Sequence, residues 1–277
     1  KKMATEIITP DMQPPVGLAE VLETTDLRRH TITSKLLGGE RELIVYVPAG
    51  YDLEPERRYP VLYLQDGQNL FDPATAYVPG KHWRVDQTAE VLIREGRVEP
   101  LIIVGVYHAG EKRVDEYTPT KDSKRKGGKA TQYLRALTEE IKPFIDKTYR
   151  TLTCAKNTGI GGSSLGGLFT LYAGLVCPDV FSKLAAMSPS AWWDKRLITR
   201  MFKEAQPKPR LNLWLDIGTR EGLDTLEDIR QLRDVLKSRG WTEDTDLKYT
   251  EAKDAAHEES AWAERVGPML EYLFPAK

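Results

Sequence analysis

The chain has 277 residues, of which 40% are apolar and 29% charged, and its formal net charge is −1. That balance fits a folded globular protein and excludes global disorder, and the near-zero charge leaves no overall field to recruit nucleic acid or an anionic membrane. No apolar run approaches the roughly 18 residues a membrane helix needs.

Residues 1–25 are polar, with Pro10, Pro14 and Pro15, and read as an N-terminal arm ahead of a domain over residues 26–277. Residues 1–6 lack the apolar core of a signal peptide, so a cytoplasmic location is expected, with secretion open if a leader has been removed. Residues 27–37 and 40–47 are two strand-like runs around Gly38-Gly39, a hairpin signal. Val61-Leu62-Tyr63-Leu64 reads as a buried strand, followed by the turn Asp66-Gly67-Gln68-Asn69. Residues 83–95 form an amphipathic helix with Val85, Ala89, Leu92 and Ile93 on one side. Residues 101–106 are a continuous, largely β-branched run, the mark of a strand buried on both faces. The basic stretch 121–129 is expected to be a mobile, solvated loop.

A helix is expected over 130–149, with Leu134, Leu137, Ile141 and Ile145 on one face. Strands are expected at 183–187, 211–217 and 246–251, with helices over 223–239 and 260–274. Strands alternating with helices imply an α/β domain with a mostly parallel central sheet, helices on both faces and an N-terminal antiparallel hairpin. Right-handed crossovers place the strand C-terminal ends along one edge, where sites form in such folds. Cys154 and Cys177 make no disulfide framework and read as small buried hydrophobes.

The chemistry centres on Gly162-Ser163-Ser164-Leu165-Gly166, a G-x-S-x-G between a small-residue strand and a helix carrying Leu168, Phe169, Leu171, Tyr172 and Leu175. This is the nucleophile-elbow pattern, which exposes one serine hydroxyl on a tight strand-to-helix turn. Only Ser164 has glycine on both sides at that spacing. A serine needs a base, and the base needs an orienting acid. In the α/β-hydrolase fold these follow in the order serine, acid, histidine. Of the four histidines, His30, His82, His108 and His257, only His257 follows Ser164. Asp216 lies within a strand, and Glu227 and Asp228 lie on a helix. Glu221, in the turn just past the strand, is the preferred acid, with Asp224 as alternate. Two backbone amides are needed for the oxyanion: Leu165, and one from the loop after the 61–64 strand, assigned to Gln68 with Gly67 as alternate.

These pieces resemble the putative-esterase family of α/β hydrolases, which includes feruloyl and acetyl-xylan esterases, enterochelin-type siderophore esterases and mycolyltransferases. The resemblance rests on Tyr63-Leu64-Gln65-Asp66-Gly67, the elbow from Gly161 to Gly167, and Ser188-Pro189-Ser190. It is extended by Gly218-Thr219-Arg220-Glu221, by His257 with Trp262 following, and by residues 113–119, and covers roughly residues 27–275. It implies the α/β-hydrolase fold and a serine hydrolase whose triad falls on Ser164, Glu221 and His257. Many relatives carry aspartate where this chain has Glu221.

Several aromatics lie near predicted strand ends: Phe71, Trp83, Tyr107, Tyr117, Trp192, Trp193 and Trp262. Trp83, Trp192 and Trp262 are taken as the substrate-contacting candidates. Arg113 and Glu116 are expected to form a structural ion pair. No metal-ligand cluster of recognisable spacing and no phosphate loop is present, so no metal or cofactor is expected. The expected reaction is hydrolysis of a carboxylic ester through an acyl-enzyme, and the expected partner a small-molecule or carbohydrate ester of feruloyl, acetyl-sugar or siderophore type. An acyltransferase would use the same residues, and a non-catalytic binding protein the same scaffold.

Overall fold

The computed structural model describes residues 25–124 and 126–277. The expected arm, apart from Thr25, lies outside the described residues. Eight strands form a single sheet in the order β1-β2-β4-β3-β5-β6-β7-β8. β1 (Asp26–Ser34) and β2 (Gly39–Val47) make the expected antiparallel hairpin, and β2 runs antiparallel to β4 (Ile102–Val106). The remaining strands, β3 (Val61–Leu64), β5 (Thr158–Ser163), β6 (Lys183–Met187), β7 (Asn212–Gly218) and β8 (Leu247–Ala252), pair in parallel, with β4 parallel to β3.

Side chains on a strand alternate between faces, so a strand covered on both sides is apolar throughout. Val61 and Tyr63 of β3 face one core layer, while Leu62 and Leu64 face the other. One layer is closed by α1 (Val85–Arg94) and α8 (Glu259–Leu273), which contribute Val85, Ala89, Val266, Met269 and Leu270. The other is closed by α3 (Ala130–Ala136), α4 (Lys142–Thr148), α5 (Leu165–Val176), α6 (Trp193–Glu204) and α7 (Leu223–Ser238). A short α2 (Arg113–Tyr117) precedes the basic stretch. Among the described residues, no helix is long and apolar enough to cross a membrane.

The structure departs from the sequence expectation in four places. The helix expected over 130–149 is divided by a π turn, Leu137–Ile141. Pro143 sits just beyond it in the first turn of α4, where its missing N–H and its ring require a widened turn upstream. Residues 193–204 are helical, although Asp194, Lys195 and Arg196 hold positive φ near its start. The 121–129 stretch is closed by a bridge between Lys121 and Gly127, and Trp193 Nε1 donates to Thr120 O just before it at 3.2 Å. Cys154 is exposed, whereas Cys177 is half-buried and packs against the core.

Candidate active site

β5 ends at Ser163 and α5 begins at Leu165, which leaves Ser164 between them at φ 59°, ψ −123°. Positive φ in a residue with a side chain costs on the order of 1–3 kcal/mol and persists only where neighbours impose it. Here the backbone is pinned on both sides. Ser164 N donates to Met187 O at 3.0 Å, and Ser190 N donates to Ser164 O at 3.0 Å. A Cβ on Gly162 would lie 2.9 Å from the carbonyl carbon of Gly166, so the turn closes only with glycine there.

The turn raises the Ser164 hydroxyl toward the loop after β8. His257 Nε2 lies 2.9 Å from Ser164 Oγ, and His257 Nδ1 lies 2.5 Å from Glu221 Oε1. The Glu221 side chain is 0% exposed, whereas that of His257 is 44% exposed. A buried carboxylate opposite Nδ1 holds the proton on that nitrogen and leaves Nε2 to accept from the serine. Burial pushes the Glu221 carboxyl up, but hydrogen bonds from His257, Ser188 and Gly218 outweigh it and hold it below the usual carboxylate value.

The acid and base loops are clamped to each other. Thr219 N donates to Ala252 O at 3.0 Å and Arg220 N to Ala255 O at 2.9 Å. Gly218 lies against Ala255 so closely that a Cβ would fall 2.3 Å from its carbonyl oxygen. Asp224, the alternate acid, is exposed in the first turn of α7.

Ser164 and His257 open onto a cleft of about 560 Å³ that is also lined by Asn69, Tyr77, His108, Arg113 and Trp262. Arg113 does not pair with Glu116. Its Nε and Nη2 donate to Asp66 Oδ1 and Oδ2, both at 2.8 Å. Arg41 takes Glu116 instead, Nη2 donating to both carboxylate oxygens at 2.8 Å. The helical spacing of 113 and 116 permits a pair, but β2 brings a second arginine to Glu116 and the loop after β3 brings Asp66 to Arg113. Gly110 N donates to His108 Nδ1 at 3.0 Å, which places that ring's proton on Nε2. Burial holds His108 below the ordinary imidazole value.

The model of the family described as "Putative esterase" matches residues 34–273. The chain belongs to this family. It is an ester hydrolase built on the α/β-hydrolase fold. The "Uncharacterized protein YbbA" of Bacillus subtilis is 26% identical over 249 residues, 85% of this chain and 93% of that protein. The "Ferri-bacillibactin esterase BesA" of Bacillus subtilis is 32% identical over 162 residues, 53% of each chain. A solved structure titled "ferulic acid esterase" superposes with a TM-score of 0.73 at 20% identity, covering 90% of this chain and 98% of that one.

The three aromatic candidates divide. Trp262 lines the cleft and stands edge-on to His257, with ring centroids 4.8 Å apart. Trp83 does not reach the cleft; it is 1% exposed and packs beneath Trp262, centroids 6.0 Å apart. It supports a cleft residue and offers no surface to a ligand. Trp192 lines a separate cavity with Lys195, Arg196 and Asp228. Phe71, Tyr117 and Trp193 are core. The amides of Leu165 and Gln68 have no acceptor among the described residues. Gln68 is fixed by its side chain, which donates to His108 O at 2.9 Å and accepts from His108 N at 3.1 Å. Sequence reasoning missed Asn69, Tyr77 and His108 as cleft residues. Asn69 was in view as a turn residue, and its side chain accepts from Tyr77 N at 2.8 Å, which ties the two together.

Proposed function

We propose that this ester hydrolase is a serine esterase working through Ser164, His257 and Glu221. The observation that carries the reading is the unbroken hydrogen-bond chain from Ser164 Oγ through both imidazole nitrogens to a buried carboxylate. His257 Nε2 takes the serine proton as Oγ attacks the ester carbonyl carbon. The imidazolium so formed faces Glu221, whose charge stabilises it without receiving the proton. The carbonyl oxygen gains negative charge, and the Leu165 and Gln68 amides are the donors we assign to it. His257 returns its proton to the departing alcohol, leaving Ser164 acylated. A water molecule then gives its proton to His257 and attacks the acyl carbon, and the serine leaves as a hydroxyl.

The cleft supports an acyl or alcohol part with both an apolar and a hydrogen-bonding side. Trp262 and Tyr77 supply the first, Asn69, His108 and Arg113 the second. Feruloyl, acetyl-sugar and siderophore esters are the classes to screen. Hydrolysis of p-nitrophenyl acetate by the wild-type protein and by Ser164→Ala tests the mechanism. The variant should lose several orders of magnitude in turnover with its fold intact. Retained turnover in Ser164→Ala would refute it.

A further inference from the structure

Behind Glu221, on the side away from His257, lies a buried polar cluster that the serine–histidine–carboxylate chain leaves unused. Its centre is Ser188, the first residue past β6, which is 1% exposed. Ser188 Oγ accepts from Trp262 Nε1 at 3.0 Å and from Arg265 Nη2 at 2.7 Å. A hydroxyl has two acceptor lone pairs and one proton. With both lone pairs engaged, the proton is directed to the remaining neighbour, Glu221 Oε2, at 2.6 Å. The direction of this bond therefore follows from a count of donors and acceptors.

Arg265 lies on α8 and is 5% exposed. The same Nη2 also donates to Asp216 Oδ1 at 3.0 Å. Asp216 is 0% exposed and is further held by Trp214 Nε1 at 2.7 Å and Ser188 N at 2.9 Å. Two buried carboxylates thus converge on one buried guanidinium, with the Ser188 hydroxyl inserted between the cation and Glu221. An O–H···O⁻ bond whose donor oxygen is itself polarised by a cation is of the strong class.

Backbone geometry alone does not account for a serine here. Ser188 has φ 42°, a value that glycine would adopt without strain. What serine adds at this position is the hydroxyl.

We infer that Ser188 and Arg265 are positioning residues for the esterase reaction: Arg265 polarises the Ser188 hydroxyl, whose proton anchors Glu221 Oε2 and keeps Oε1 aimed at His257. This rests on the reading of Glu221 as the acid of the triad. The charged and titratable groups around His257 and Glu221 are Asp216 and Arg265 behind, and Asp66, His108, Arg113 and Glu259 on the cleft side. None of these groups is itself replaced when Ser188 is changed, so a shift in the pH profile reports the loss of the hydroxyl.

The test measures kcat and KM for p-nitrophenyl acetate across pH, with thermal unfolding, for Ser188→Gly, Ser188→Ala, Arg265→Met, Arg265→Lys, Glu221→Gln and the double variant Ser188→Gly/Glu221→Gln. Both Ser188 variants should lose about tenfold in kcat, equivalent to ~1.4 kcal/mol, with KM within about twofold. The acid limb of kcat/KM should move to higher pH, because a carboxylate deprived of a hydrogen bond holds the imidazolium more tightly. Ser188→Gly should unfold at no lower temperature than Ser188→Ala, since it relieves the backbone. Arg265→Met should reproduce the kcat loss, and Arg265→Lys should recover part of it. In the Glu221→Gln background, Ser188→Gly should have little further effect, because the partner it anchors is already gone.

Wild-type kcat and pH profile in Ser188→Gly, with Glu221→Gln impaired, would overturn the inference and leave the triad standing. A full tenfold loss from Ser188→Gly in the Glu221→Gln background would also overturn it, by showing that Ser188 acts elsewhere. Full activity in Glu221→Gln would instead overturn the triad reading.

Discussion

Replacing Gly162 by alanine tests whether the elbow is held by contact across its own turn. The added Cβ would lie 2.9 Å from Gly166 C, 3.0 Å from Gly166 O and 3.1 Å from Gln65 Cβ. Two of these three are backbone atoms of the first turn of α5, so relief requires that turn to shift. It carries the Leu165 amide and follows Ser164 directly. Overpacking of this kind costs about 1–3 kcal/mol. At about 2–4 °C per kcal/mol for a chain approaching this size, the midpoint should fall by roughly 2–12 °C. Activity should fall further than stability, since a displacement of about 1 Å at a reacting group can cost about 100-fold. Gly166→Ala is the control. Its Cβ would lie 3.3 Å from Gln65 Cβ and 3.6 Å from Asp66 Oδ2, both side-chain atoms. Alanine is favoured over glycine in a helix by up to ~1 kcal/mol, which offsets the tight contact, so the net change should stay within about 1 kcal/mol. Thermal unfolding and p-nitrophenyl acetate turnover on both variants decide the matter. The reasoning fails if Gly162→Ala matches wild type in both, or if Gly166→Ala is the more damaging.

Other outcomes follow from the same geometry. Glu221→Gln should lower kcat strongly and Asp224→Asn should do little; the reverse result would move the acid three residues along the loop. His30, His82 and His108 are each held below the ordinary imidazole value, chiefly by burial. The folded protein therefore binds fewer protons than the unfolded chain just below about pH 6.5, so stability should be full above that value and decline as pH falls through it. Urea midpoints at pH 7.5 and 5.5 check this, and a higher midpoint at 5.5 would contradict it. Arg41→Met should cost roughly 3–5 kcal/mol by leaving the buried Glu116 without its partner, and Arg41→Met/Glu116→Leu should recover much of that loss.

The central sheet was legible because its strands are short apolar runs bounded by turn residues, as at 61–64 and 102–106. The elbow was legible because the glycines at 162 and 166 flank one serine at the spacing a tight turn needs. Chain order singled out His257 and, with strand position, narrowed the acids to the turn that holds Glu221; the structure brings His257 within hydrogen-bond reach of Ser164, and Glu221 within reach of His257. The helix at 193–204 was not legible. Its first residues hold left-handed backbone, and only Ile198, Thr199 and Phe202 are buried beyond them, too few to set a clear period. The cleft wall was also hidden, because Asn69, Tyr77 and His108 lie in loops and Arg113 at the start of α2, and only the fold gathers them. Trp83 and Trp262 show the same limit: both are buried aromatics near the start of a helix, and only packing decides that one faces the cleft and the other lies beneath it. Ser188 stands in the Ser188-Pro189-Ser190 motif, but its role depends on Arg265, 77 residues further along the chain.

The most direct test of the account is covalent labelling of the wild-type protein with a fluorophosphonate, followed by peptide mass spectrometry. One adduct per chain is expected, on Ser164, and it should be lost in a His257→Ala variant. An adduct on Ser163 or Ser190, or labelling of Ser164 that is indifferent to His257→Ala, would contradict it.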